Sequence, residues 1–215
     1  MRKGSIWIAL GVLLIAASLF IAIRNLQEAD SAGIASQNVL TKMNSIRPKP
    51  QALAAEPVEE TTASTEVEIP DYRLNPNMEM PTETIDGNEY IGILELPALQ
   101  LILPVMSEWS YTGMKIAPCR YVGSAYLNNM VIAAHNYASH FGHLRELAQG
   151  DEVVFTDVDG NVFRYEVLEV ETLPPSAVEE MTGGDWDLTL FTCTISGRKR
   201  VTVRCALTGK EAWTS

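Results

Sequence analysis

A basic patch is missing from this chain. Its 215 residues hold 16 Lys and Arg against 27 Asp and Glu, for a formal net charge of -11. Phosphate backbones are gripped by clustered cations, so no nucleic-acid partner is expected. Repeats at solenoid periods are absent too, which excludes a stacked array. Helical periodicity is scarce beyond residue 84, which argues against a helical bundle there. An even cysteine count is also lacking: Cys119, Cys193 and Cys205 leave at least one thiol unpaired within the chain.

What is present begins at the N-terminus. "GSIWIALGVLLIAASLFIAI", residues 4–23, carries no charge, and at about 1.5 Å per helical residue it reaches roughly 30 Å, enough to cross a hydrocarbon core. Arg2 and Lys3 precede it, and Glu28 and Asp30 follow Arg24, so the charge bias sets a cytoplasmic N-terminus with the remainder outside. No small-x-small cleavage site closes the run, which favours an uncleaved anchor over a signal peptide. The expected organisation is a transmembrane anchor over 1–24, a partly disordered extracellular stalk or linker over 25–83, and a catalytic domain over 84–215. Apolar spacing between 25 and 46 is loose and Gly33 weakens a helical continuation. From Arg47 to about Glu83, Pro, Glu and Thr dominate, a composition that buries too little to offset the entropy of ordering.

Short strand patterns fill the rest. "YIGILEL", "LQLILPV", "MVIAAH", "DEVVFTD", "NVFRYEVLEVETL", "LTLFTC" and "RVTVRCAL" predict seven or eight strands, with a hairpin turn at Asp159-Gly160. Helical turns are expected only around "FGHLRELAQ" and "PSAVEEM". The class is mainly β, a closed barrel or sandwich.

Cys193 stands where the apolar run "LTLFTC" ends. Alternation puts Thr189, Phe191 and Cys193 on one face and Leu188, Leu190 and Thr192 on the other. Arg200 opens the next run after a short Gly-containing connection, so antiparallel pairing brings a guanidinium beside the sulfur, where it stabilises a thiolate and later an oxyanion. His135 ends a third strand, where an imidazole can exchange protons with an amine. A thiol, an imidazole and a guanidinium at three strand ends suit acyl transfer.

These residues carry a resemblance. "TLFTC", residues 189–193, resembles the TLxTC signature of sortases, the membrane-anchored cysteine transpeptidases of Gram-positive envelopes. "RVTV" is similar to the strand bearing the family's arginine, and "VIAAHN" to its strand-end histidine motif; the likeness covers most of residues 90–207. It implies a closed β-barrel with Cys193 as nucleophile, His135 as general acid and base, and Arg200 as oxyanion and substrate-positioning group. It also implies cleavage of an LPxTG-like sorting-signal peptide through a thioacyl intermediate. The acyl group would pass to an amine of a peptidoglycan precursor or a pilin lysine, at a single-pass protein of the cell membrane. Ala134 stands where many sortases have Gly, which costs little unless that position needs positive φ. His135-Asn136 resembles the class B pattern, but the long insertion usual in that class is missing, so the subclass stays open.

Several rivals remain at this stage. His140 and His143 compete with His135, the second as runner-up, and Arg204 shares a face with Arg200 while Arg198 reads as a solvated loop charge. Cys119 and Cys205 either bridge or stay as core thiols. Asp157 and Asp159 form a candidate carboxylate pair for calcium, against a turn role for Asp159; no metal and no cofactor is assigned. Trp109 and Trp186 either line a peptide groove or pack, and Asn136 either orients His135 or caps a turn. Alternative functions are an exported cysteine peptidase that hydrolyses its acyl enzyme and a non-catalytic membrane-tethered binding module. No Ser-His-Gly-Cys string supports the other class of peptidoglycan cross-linking cysteine enzymes.

Overall fold

The computed structural model describes residues 3–46 and 69–211. Much of the expected linker, residues 47–68, lies outside the described residues.

Nine strands form one sheet: β1 Glu83–Ile85, β2 Asn88–Leu96, β3 Leu101–Met106, β4 Cys119–Val122, β5 Met130–Ala134, β6 Glu152–Asp157, β7 Val162–Leu173, β8 Leu188–Cys193 and β9 Arg200–Glu211. Their order is β1-β2-β3-β4-β5-β8-β9-β7-β6, and β2 also pairs with β6. Strands β2 to β9 therefore close into a ring of eight, which satisfies both edges of each strand, while β1 extends one edge of β2. The mainly β closed barrel expected from the sequence is the observed class.

Two strands escaped the sequence reading. β1 and β2 turn at Asp86-Gly87, whose φ values of 52° and 78° suit a two-residue hairpin loop. β4 is four residues long and its pairing with β5 shifts register between Arg120 and Val122. The hairpin at Asp159-Gly160 joins β6 to β7, with Gly160 at φ 89°. The two helical expectations become a 3-10 turn at Leu144–Glu146 and a short helix, Val178–Thr182.

β8 shows why the alternation matters. Leu188 and Leu190 enter the apolar filling of the ring, together with Ile132, Phe155, Phe163 and Val203. Phe191 packs outside the ring with Val131, Ala133, Cys119 and Met181. β5 is buried at all five positions, which is why it reads as a continuous apolar run rather than an alternating one.

The N-terminal helix, α1, runs from Lys3 to Ile46 and is long and apolar enough to cross a membrane. It does not stop at Arg24. Glu28, Ala29 and Gly33 are half-buried, and Ala32, Ser36, Val39, Leu40 and Met43 are buried, a spacing of three and four that keeps one helical face on the barrel. Val39, Leu40 and Met43 extend the outer apolar cluster over Ile85, Tyr90, Met106 and Met114.

Candidate active site at the barrel rim

Three adjacent strands deliver the candidate residues to one rim. β8 and β9 run antiparallel, and their last pair is Cys193 with Arg200. β5 lies parallel to β8 on its other side, with Ala134 opposite Thr192 as its last pair, so His135 leaves β5 at the level of Cys193. The Thr192 hydroxyl donates to the Ala134 carbonyl at 2.8 Å, tying the two strands together beneath the site. Ala134 is not among the positive-φ residues, so the methyl group where many sortases have glycine is accommodated without strain.

Cys193, His135 and Arg200 are each half-buried. Nε2 of His135 is buried and has no hydrogen-bond partner, an orphan that asks for a reaction partner or a water. Burial lowers its pKa; the Glu28 carboxylate on α1 opposes that shift, and Lys115 adds to it. Its ring packs against Tyr137 at 4.9 Å between centroids. The Arg200 guanidinium donates from Nη1 to the carbonyls of Gly197 and Lys199, both at 3.2 Å, and both contacts are exposed.

A sortase-domain family model matches residues 94–208. The chain belongs to the sortase family. Solved structures similar to this sortase include Listeria monocytogenes sortase A, at 20% identity and TM-score 0.53 over 58% of this chain and 91% of that one. A Clostridium perfringens sortase D5 transpeptidase matches at 22% identity and TM-score 0.50 over 59% and 83%. Sortase E from Streptomyces avermitilis matches at 24% and 0.50 over 57% and 90%. No protein in the curated set matches. At these identities the likeness establishes the shared fold.

The rival residues of this sortase are occupied elsewhere. His140 is fully buried; its Nε2 lies 3.2 Å from the Ser36 hydroxyl of α1, and burial first, with His135 nearby, lowers its pKa to about 4. His143 is exposed and meets Glu146 at 2.7 Å. Cys119 and Cys205 are free and buried, one in the outer cluster and one inside the ring, so the expected alternative of a bridge between them is not what is observed. Burial pushes their thiols up to about 11 and about 12, which keeps both protonated and unreactive. Asp157 is buried, accepting from Tyr126 Oη at 2.9 Å and from Asn161 Nδ2 at 2.8 Å; among the described residues no His, Cys, Asp and Glu cluster suited to a metal occurs.

Arg204 is the residue whose role the sequence concealed. It is buried on the same face of β9 as Arg200 and donates from Nε to Glu171 at 2.8 Å. Nη1 reaches the Met181 carbonyl and the Thr189 hydroxyl, each at 3.1 Å, and Nη2 donates to the Glu180 carbonyl. Trp186 lies beneath the guanidinium, 5.7 Å away. Arg204 thus clamps the β7–β8 connection onto the Cys193-bearing face of β8, and Trp186 serves that packing. Trp109 stacks edge-on with Tyr111 and Tyr121, the latter leading to Phe191.

Proposed function

We propose that this sortase is a membrane-anchored cysteine transpeptidase in which Cys193 is the nucleophile, His135 the proton carrier and Arg200 the oxyanion and substrate-positioning group. The observation that supports it most is the terminal Cys193–Arg200 pair across β8 and β9, with His135 leaving β5 alongside. Cys193 thiolate attacks the carbonyl carbon of Thr in an LPxTG-like sorting signal, forming a C–S bond and an oxyanion that Arg200 stabilises. The C–N bond then breaks as His135 imidazolium gives its proton to the departing amine. Burial lowers the proton affinity of His135, which makes its imidazolium a stronger acid for that step.

The thioacyl enzyme is resolved when His135 takes a proton from an incoming amine, that nitrogen attacks the acyl carbon, and the C–S bond returns its electrons to sulfur. The acceptor class is an amine of a peptidoglycan precursor or a pilin lysine. On this reading the protein sits in the cell membrane with its catalytic domain outside, supported by a helix long and apolar enough to cross a membrane and by the charges that flank it.

The test is incubation with a Leu-Pro-X-Thr-Gly peptide, with and without a primary amine. Transpeptidation predicts an amide of that amine with the peptide's Thr carboxyl, lost in Cys193→Ala. Release of the free acid at an unchanged rate whatever the amine concentration would instead establish a hydrolysing peptidase. Binding without turnover would establish a tethered binding module.

A further inference from the structure

The His135 ring is held without a hydrogen bond. An imidazole that moves protons is commonly oriented by a bond to its second nitrogen, but among the described residues no side-chain hydrogen bond reaches this ring. Packing sets where it points. Its ring partner is Tyr137, at 4.9 Å between centroids and tilted by 36°. Tyr137 also meets the ring of His140, at 5.6 Å and 49°, and so bridges the two imidazoles.

The far end of this row of rings is fastened to α1. His140 is fully buried, and its Nε2 lies 3.2 Å from the Ser36 hydroxyl. That hydroxyl gives its one proton to the Ile116 carbonyl at 2.7 Å, so it accepts from His140, whose ring proton sits on Nε2. Burial first lowers the His140 pKa to about 4, which keeps the ring neutral at neutral pH. Its Nδ1 is buried with no partner. An apolar residue of similar shape would fill this space without that cost, so a histidine here calls for a reason besides packing. The loop between the rings is tight enough to pass position along. Phe141 N–H donates to the His135 carbonyl at 3.2 Å, and those of His140 and Gly142 donate to the Tyr137 carbonyl at 2.9 and 2.8 Å. A Cβ on Gly142 would lie 2.7 Å from that carbonyl oxygen, so glycine permits the turn. The Ala29 carbonyl of α1 accepts from the Ser139 hydroxyl at 3.2 Å, and a Cβ on Gly33 would sit 3.0 Å from Cβ of Ser139. Loop 135–142 is thus closed on itself and pinned to the helix.

Resting on the catalytic reading of His135 above, we propose that Ser36 of α1 is a positioning residue for the reaction: it holds His140, His140 holds Tyr137, and Tyr137 aims the His135 imidazole. The N-terminal helix is then a working part of the active site. Ser36 and His140 are both buried and present nothing to a bound peptide, so their effect falls on proton transfer, which depends steeply on donor geometry, and not on peptide affinity.

The test uses full-length protein in detergent micelles with a Leu-Pro-X-Thr-Gly peptide and a primary amine, well below the melting temperature of each variant. Ser36→Ala and Tyr137→Leu should each lower kcat by about tenfold or more while KM changes less than about twofold. Tyr137→Phe, which keeps the ring, should return kcat to within about twofold of the parent. Lys42→Gln breaks an exposed tie of the same helix to Asp86 and touches none of the three rings, so kcat should not change. On isotope-labelled histidine, the NMR signals of the His135 ring should move in Ser36→Ala, although that hydroxyl bonds His140. If Ser36→Ala does not fold, Tyr137→Leu, at a half-buried position, decides alone. Parent-like kcat in Tyr137→Leu, with His135→Ala inactive, would overturn the positioning role and leave the catalytic reading standing. Turnover surviving in His135→Ala would overturn the catalytic reading, and the positioning role with it.

Discussion

Two arginines on one face of β9 show how differently a fold treats the same side chain. Arg204 is surrounded: a carboxylate, two carbonyls, a hydroxyl and an indole take up its guanidinium. Arg200, four residues nearer the rim along β9, has two exposed carbonyls of its own turn. The sulfur opposite it and the orphan Nε2 of His135 are similarly uncommitted. Where the polar groups are mutually satisfied the strands are being held together, and where they are left unsatisfied at the same register level, chemistry has room to occur.

The largest expected effect is on the uncommitted side. Cys193→Ala should lower peptide turnover by about 10⁴-fold or more, with a melting temperature close to that of the parent because the thiol is half-buried at a strand end. Turnover surviving that change would erase the distinction between rim and clamp. Arg200→Met should cost about 10²–10³-fold in kcat/KM through the lost oxyanion donor, with less than about 1 kcal/mol in stability for an exposed contact. Arg204→Met should reverse that profile, destabilising by about 2–4 kcal/mol in urea unfolding because Glu171 and two carbonyls lose a buried donor. Equal stability losses for both arginines would show that burial does not separate their roles.

A smaller effect sharpens the same contrast between histidines. His140 has a folded pKa lowered from 6.5 to about 4 by burial, so the unfolded chain binds its proton first as the solution is acidified. Stability from this group is complete above about pH 6.5 and is lost as pH falls towards 4, by roughly 2–3 kcal/mol. His135 is shifted in the same direction, by burial first. In its surroundings Glu28 raises and Lys115 lowers the affinity, so Lys115→Gln should move the His135 titration upward in NMR and Glu28→Gln downward. The smallest effect belongs to His143→Ala, under about 0.5 kcal/mol by thermal melt, since its contact with Glu146 is an exposed pair.

The sequence was most informative where chemistry and chain order coincide. "TLFTC" and "RVTV" are neighbours in sequence and in the sheet, and alternation correctly separated Phe191 and Cys193 from Leu188 and Leu190. Arg204 was opaque because its partners, Glu171, Glu180, Met181 and Thr189, come from β7, the β7–β8 connection and β8, and two of them are backbone carbonyls that no side-chain pattern encodes. β4 was missed because four residues that include a charged Arg120 and a register shift carry too little periodicity. The docked face of α1 was hidden by its small residues, as Ala29, Ala32, Gly33 and Ser36 bury well without reading as an apolar stripe. In each case the missing information was tertiary: it lay in what packed against the residue.

The most direct measurement is intact-protein and peptide-map mass spectrometry after brief mixing with a Leu-Pro-X-Thr-Gly peptide and no added amine. The account predicts an adduct equal to the peptide's acyl portion on Cys193, discharged by an amine and absent in Cys193→Ala. Peptide cleavage without that adduct, or an adduct on Cys119 or Cys205 instead, would contradict it.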